Sequence, residues 1–252
     1  MGISATPIEP FPQVQAGTDL AALIVAALRY AGEELRAADV LVVAHKVVSK
    51  AEGRTISLAD VVPGARASEL AREQGKDPRH VQVVLEQSRA LLRAERSVLI
   101  CVTHHGFVCA NAGVDASNVP GPDAVVTLPR DPDRSARELR ARLRELTGTQ
   151  VAVVISDSFG RAWRHGQCDL AIGCAGITPL KDWRGHRDAH GRQLTATWIA
   201  TVDELAAAAD VARSKDGGQP VVLIRGAGRH VTGEDGPGAA ALIRPEGEDL
   251  FR

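Results

Sequence analysis

Five apolar residues in a row, Val151-Ala152-Val153-Val154-Ile155, lead into Asp157-Ser158-Phe159-Gly160-Arg161-Ala162-Trp163-Arg164. A short unbroken apolar run of this kind reads as a buried strand. Where it ends, a carboxylate, a hydroxyl, a glycine and two arginines arrive together, and in α/β proteins that edge is where ligands sit. The residue types suit a metal-bound phosphate: Asp157 for a cation, Ser158 for a cation or an oxygen, Arg161 and Arg164 for anions. Taken alone, the octet also fits a plain strand-to-loop turn with a solvated charge cluster.

The rest of the chain alternates helical and strand patterns. Thr18 to Tyr30 reads as a helix capped by Thr18, with Leu20, Leu23, Ile24, Ala27 and Leu28 as its apolar stripe. Val40 to Ala44, Val98 to Val102, Phe107 to Cys109, Leu170 to Ile177 and Val221 to Ile224 read as strands, with His104-His105-Gly106 as a turn. Further helices are expected at Ala65 to Gln74, Val81 to Ala94, Arg134 to Leu146 (with Gly148 just past its end) and Val202 to Arg213. The stretch from Arg164 to Arg192 is otherwise rich in glycine and charge. This pattern gives a mixed α/β class whose irregular order departs from a doubly wound sheet. Neither a phosphate-binding G-x-x-x-x-G-K-[S/T] loop nor a G-x-G-x-x-G fingerprint occurs, so the fold is neither P-loop nor Rossmann.

Thirty basic residues against 31 acidic leave a net charge of −1, which speaks against nucleic-acid or membrane-surface partners. Any phosphate site must therefore be a local concentration of Lys and Arg. No apolar run approaches the roughly 18–20 residues of a membrane span, and Met1 to Gln15 lacks a signal-peptide pattern. Cys101, Cys109, Cys168 and Cys174 make no C-x-x-C pair and read as structural thiols of a reducing cytoplasm rather than zinc ligands.

Two further clusters carry chemistry. Ala110-Asn111-Ala112-Gly113-Val114-Asp115-Ala116-Ser117-Asn118-Val119-Pro120-Gly121 concentrates small polar residues after a strand. Such a run forms Asx-turns on its own account, or it brings backbone amides to phosphate while Asp115 holds a cation. Asp115 and Asp157, each at the end of an expected strand, would then converge on one ion, with waters and phosphate oxygens completing its shell. In the run His45 to Arg54, Lys46, Lys50 and Arg54 recur every four residues. They form either a solvated basic face or a phosphate grip.

Together, Val47-Val48-Ser49-Lys50-Ala51-Glu52-Gly53-Arg54, Asn111-Ala112-Gly113-Val114-Asp115-Ala116-Ser117-Asn118, Ser156-Asp157-Ser158-Phe159-Gly160-Arg161 and Ala171-Ile172-Gly173 through Asp182 resemble, in order and spacing, the coenzyme F420-0:L-glutamate ligases. The resemblance covers essentially the whole chain. It implies a GTP-dependent amide synthetase that joins L-glutamate to F420-0 and extends the tail by γ-linked glutamates. It also implies use of Mg²⁺ or Mn²⁺ with K⁺, and an intertwined homodimer of family-specific mixed α/β fold. In some relatives the ligase is the first half of a longer protein with a flavin-binding, nitroreductase-like second half. Residues 1–252 are expected to form the ligase unit alone, stopping at Glu248-Asp249-Leu250-Phe251-Arg252.

By position, the resemblance makes Asp115 and Asp157 first-metal ligands and Ser158 a second-metal ligand. Lys50, Asn118 and Phe11-Pro12-Gln13-Val14 fall at nucleotide contacts, and His45 stands where some relatives place a GTP-contacting serine. Arg213-Ser214-Lys215-Asp216-Gly217-Gly218 matches a further nucleotide-binding segment, but Lys215 occupies the neighbourhood of a metal-binding glutamate. As an ammonium it cannot ligate Mg²⁺, and it is placed to neutralise phosphate charge.

An acyl-phosphate route needs cations around the transferred phosphoryl group; Lys50, Arg161 and Arg164 are the expected anion clamps. His104, His105 and His165 read as loop histidines, and no general base stands out. Trp163, Trp183 and Trp198 read as core packing, with stacking on the deazaflavin as the alternative. Two other functions fit the residues: a ligase of the same fold for another acceptor or nucleotide, and a non-catalytic F420-binding protein.

Overall fold

The computed structural model describes residues 2–119, 121 and 123–249. Met1, Pro120 of the polar cluster, Pro122 and the C-terminal Leu250-Phe251-Arg252 lie outside the described residues. In chain order the first half contains β1 (Ser4–Pro7), α1 (Leu20–Tyr30), β2 (Val40–Ala44), α2 (His45–Ala51), β3 (Thr55–Ser57), α3 (Ala65–Gln74), α4 (Pro78–Glu86), β4 (Ser88–Glu95), β5 (Val98–Thr103) and β6 (Val108–Ala110). The second half contains β7 (Ala124–Val126), α5 (Pro132–Thr147), β8 (Ala152–Arg161), β9 (Arg164–Ala175), β10 (Lys181–Asp182), β11 (Trp198–Ile199), α6 (Thr201–Ala212) and β12 (Val221–Arg225).

The main sheet has the order β1-β12-β2-β8-β9. Only β2 and β8 run parallel; every other pair in it is antiparallel. The three central strands are apolar on both faces because both faces are covered. Leu41, Val43, Val153, Ile155 and Leu223 pack with Ile24 and Leu28 of α1 and Leu139 and Leu143 of α5. Their alternate neighbours Val40, Val42, Ala152, Val154, Val222 and Ile224 pack with Val202, Leu205, Ala206 and Ala209 of α6. The period of two along a strand thus divides one apolar run between two cores. A separate cluster lies between α3, α4 and the small sheet β4-β5-β6, with Leu70, Val81, Val84, Leu99 and Cys101 at its centre. The mixed α/β expectation stands.

Local boundaries differ from the sequence expectations in informative ways. The first helix is capped by Asp19, whose carboxylate accepts from Ala22 N at 3.1 Å; Thr18 instead accepts from Gln15 N. The helix expected over Val81 to Ala94 ends at Glu86, and Ser88–Glu95 is a strand. Its Arg, Leu and Ala favour helix, but pairing with β5 from Ser88↔Thr103 to Glu95↔Val98 overrides that local preference. The turn between them puts both Arg96 and Ser97 at positive φ (51° and 61°), the backbone that tight hairpins require.

The octet also differs from expectation: Asp157 does not end a strand. β8 continues to Arg161, and its antiparallel partner β9 begins at Arg164, so Asp157 and Ser158 lie opposite Leu170 and Asp169 in a ladder. The plain-turn reading therefore fails at these residues. The tryptophans are not core residues. Trp163 sits at the hairpin tip, 81 % exposed, Trp198 is 46 % exposed, and Trp183 is half-buried. Lys181 and Arg184 lie over the rings of Trp183 and Trp198. Cys101, Cys109 and Cys174 are buried and Cys168 half-buried, all free. Burial pushes the Cys109 and Cys174 thiols up to about 12. No helix of the described residues is long and apolar enough to cross a membrane.

Candidate active site

Ala44 of β2 lies beside Ser156 of β8, the parallel pair. Beyond the C-terminal ends of these two apolar stretches opens a cleft of about 980 Å³, the position at which α/β sheets bind ligands. Six segments distant in sequence line it, one of them the Gln167 and Asp169 stretch of β9. Phe11 to Val14 forms one part; His45 and Lys50 come from α2; Asp115 and Asn118 come from the polar loop. Asp157 and Ser158 come from β8, and Arg213, Ser214, Lys215 and Gly218 from the turn after α6. Arg161, Arg164, Asp216 and Gly217 are not among the lining residues. Arg161 turns back within the hairpin, donating to His165 O at 2.7 Å. His104 and His105 donate to backbone carbonyls of Glu86, Pro129 and Arg130, as loop histidines do.

The basic run is helical for Lys46 and Lys50, which share one face of α2 at i, i+4. Lys46 Nζ reaches Asp115 Oδ2 at 2.7 Å and Ser117 Oγ at 2.5 Å; Lys50 Nζ donates to Asn118 O at 2.6 Å. Arg54 lies past the helix and is structural, donating to Leu128 O and Gln87 Oε1. Burial lowers the Lys50 ammonium below its ordinary value, and repulsion from Lys46 adds to this.

Asp115 follows a turn in which Asn111, Ala112 and Gly113 all have positive φ (51°, 52° and 71°). Left-handed backbone at Asn111 and Ala112 costs about 1–2 kcal/mol per residue. A Cβ on Gly113 would sit 2.7 Å from Leu128 Cγ, so only glycine fits there. The turn delivers Asp115 into an isolated bridge with Val126, and its carboxylate accepts from Ser117 N at 2.6 Å and Ser117 Oγ at 3.0 Å. Burial opposes ionisation of Asp115, but Lys46 and Ser117 outweigh it and hold the carboxyl below its ordinary value.

Asp157 is differently placed. Its Oδ1 accepts from Ser158 N at 2.8 Å. His45 Nε2, 2 % exposed, stands 3.3 Å away but off hydrogen-bonding geometry, so it is a buried nitrogen without a directed partner. No Lys or Arg pairs with Asp157 among the described residues.

Sequence reasoning missed Asp169. It is 1 % exposed, accepts from Ser156 Oγ at 2.9 Å and Ser158 Oγ at 2.6 Å, and is paired with Arg213. The signal was the hairpin itself: extending β9 towards its N-terminal end places Asp169 opposite Ser158. Lys215 donates to Ser158 Oγ from the other direction.

Among the described residues no three His, Cys, Asp or Glu side chains already form a metal cage. The carboxylates of Asp115 and Asp157, both lining the cleft, nevertheless fit a hard cation such as Mg²⁺ or Mn²⁺, which takes few protein oxygens and completes its shell with waters and phosphate.

Fold and cleft define an α/β protein with a polar groove that combines carboxylates with ammonium and guanidinium groups. The chain belongs to the F420-0:gamma-glutamyl ligase family, whose profile matches residues 10–226. It is 45 % identical over 254 residues to the Coenzyme F420:L-glutamate ligase of Methanothermobacter thermautotrophicus, covering 100 % of both chains. It is 46 % identical to that of Methanopyrus kandleri, covering 100 % of this chain and 99 % of the other. The Archaeoglobus fulgidus protein of the same name is 41 % identical, over 100 % of this chain and 97 % of its own.

Proposed function

We propose that the protein ligates L-glutamate to coenzyme F420-0 and extends a γ-linked tail, driven by GTP, with Mg²⁺ or Mn²⁺ and K⁺, as a homodimer. The observation that carries this is the convergence of Phe11 to Val14, Lys50, Asp115, Asn118, Asp157, Ser158 and the Arg213 to Gly218 turn on one cleft of a chain related along its whole length to such ligases.

The chemistry required is activation of a poor electrophile. The terminal carboxylate of F420-0 attacks the γ-phosphorus of GTP, GDP leaves, and an acyl phosphate results. The amine of glutamate then attacks the acyl carbon, inorganic phosphate leaves, and the amine proton is lost to solvent. Lys50 and Lys215 supply positive charge for phosphate oxygens, while Arg213, beside Ser156, stays paired with Asp169. Lys46 balances Asp115 until a ligand arrives and is free to move onto a phosphate oxygen afterwards. A divalent ion on Asp115 and Asp157 would neutralise charge on the transferred phosphoryl group. Phe11 to Val14 lines one side of the cleft, and its apolar side chains would keep water from an acyl phosphate formed beside them.

The test is incubation with F420-0, glutamate, Mg²⁺ and either GTP or ATP, followed by mass analysis of the products. Increments of one glutamyl unit with GTP are expected. Ligation only with another acceptor or with ATP would favour a ligase of different specificity, and cofactor binding without phosphate release would favour a non-catalytic carrier.

A further inference from the structure

Two kinds of cation site meet at Ser158. Its hydroxyl donates to Asp169 Oδ1 at 2.6 Å and accepts from Lys215 Nζ. A hydroxyl has one proton and two lone pairs, so the proton and one lone pair are already committed. Behind it, both oxygens of Asp169 are engaged as well: Oδ1 by Ser158, Oδ2 by Ser156 Oγ and the Arg213 guanidinium. The Arg213 side chain is 10 % exposed and also donates to Ser156 Oγ at 3.1 Å. The buried carboxylate is thus neutralised by a guanidinium that cannot leave without stranding it.

The pair formed by Asp115 and Asp157 behaves otherwise. Asp115 is balanced by Lys46, a lysine at the cleft surface, and Asp157 by no lysine or arginine among the described residues. A carboxylate can exchange one surface ammonium for a divalent ion. A neutral hydroxyl that already accepts from an ammonium offers such an ion little attraction and a like charge beside it.

We infer that Lys215, held on Ser158, supplies the positive charge on this side of the cleft as a side chain while Arg213 stays committed to Asp169, so that the site takes one divalent ion per bound nucleotide, on Asp115 and Asp157. This rests on the reading of the cleft as a guanine-nucleotide site. The Lys215 side chain is 69 % exposed, with Asp210 Oδ1 3.7 Å away. With three protons on its ammonium, it can bind a phosphate oxygen while keeping Ser158.

The test counts Mn²⁺ bound to the whole protein by electron paramagnetic resonance at saturating guanosine diphosphate, with protein-free nucleotide as the blank. One ion per chain is expected for the wild type. Two ions would overturn the inference and leave the ligase reading standing; no bound ion would overturn both. Lys215→Glu alters an exposed side chain, so the fold is retained, and it turns the ammonium into a carboxylate. That variant is expected to bind a second ion, and a count still at one would contradict the role given to Lys215. In Lys215→Met, affinity for guanosine diphosphate is expected to fall about tenfold, the loss of one charge-assisted hydrogen bond; unchanged affinity would contradict the inference.

Discussion

Asp115 and Asp169 belong to one cleft and are held by different means. Asp169 lies in the β8–β9 ladder, 1 % exposed, with two serine hydroxyls and a guanidinium fixed on it. Asp115 follows three residues of left-handed backbone, its side chain is 40 % exposed, and its cation is the side chain of Lys46. The sheet provides a permanent charge pair, and the loop provides an exchangeable one. In the proposed nucleotide cycle the replaceable cation would lie on the loop side, where exchanging partners does not unfold a strand.

The largest expected effect falls on the permanent pair. Asp169→Asn leaves Arg213 buried without its counter-charge, and a loss of about 3–5 kcal/mol is expected in urea unfolding; a loss below about 1 kcal/mol would erase the contrast with Asp115. Asp157→Asn comes next and acts on turnover rather than stability. Glutamyl ligation is expected to fall about 10²–10³-fold with a near-unchanged melting temperature, and near-normal turnover would remove Asp157 from the reaction.

Gly113→Ala sharpens the claim that the loop is held by strain. The added Cβ meets Leu128 on a residue whose φ is 71°, and a cost of about 1–3 kcal/mol is expected in denaturant unfolding. The smallest effect concerns pH. Lys46→Met is expected to raise the Asp115 pKa from its wild-type position, read from the carboxyl carbon by NMR titration, because burial then meets less opposition. In the wild type, the lowered Asp115 pKa contributes stability that is full above the unfolded value of 3.8 and is lost as pH falls through the lower folded value. The variant should show a weaker dependence on that acid side, and an unchanged acid-unfolding profile would mean that Lys46 does not hold the carboxylate.

The central strands were legible because burial on both faces writes them as apolar runs: Val40 to Ala44, Val151 to Ile155 and Val221 to Ile224 all appear where expected. Helix α5 was legible through its charged periodicity and the left-handed Gly148 that ends it. Strands exposed on one side were legible only in part: the strand expected at Phe107 to Cys109 falls on β6, whereas β4 reads as helix. Ser88–Glu95 carries helix-prone residues and becomes a strand only through its pairing with β5. The outer half of the β8–β9 hairpin, polar and glycine-containing, looks like loop until its two halves are aligned.

The same blindness hid Asp169, whose importance depends on standing opposite Ser158, a cross-strand fact that spacing along the chain does not encode. Asp115, Asp157 and Lys50 could be singled out because their segments concentrate chemistry locally, and all three line the cleft. Arg161 was singled out by the same local logic, but the hairpin carries it away from the cleft.

The most direct measurement is anomalous diffraction at the manganese edge from crystals grown with guanosine diphosphate and Mn²⁺. The account predicts a peak ligated by carboxylate oxygens of both Asp115 and Asp157 and in contact with the nucleotide phosphates. A map with the nucleotide bound and no manganese touching either aspartate would contradict it.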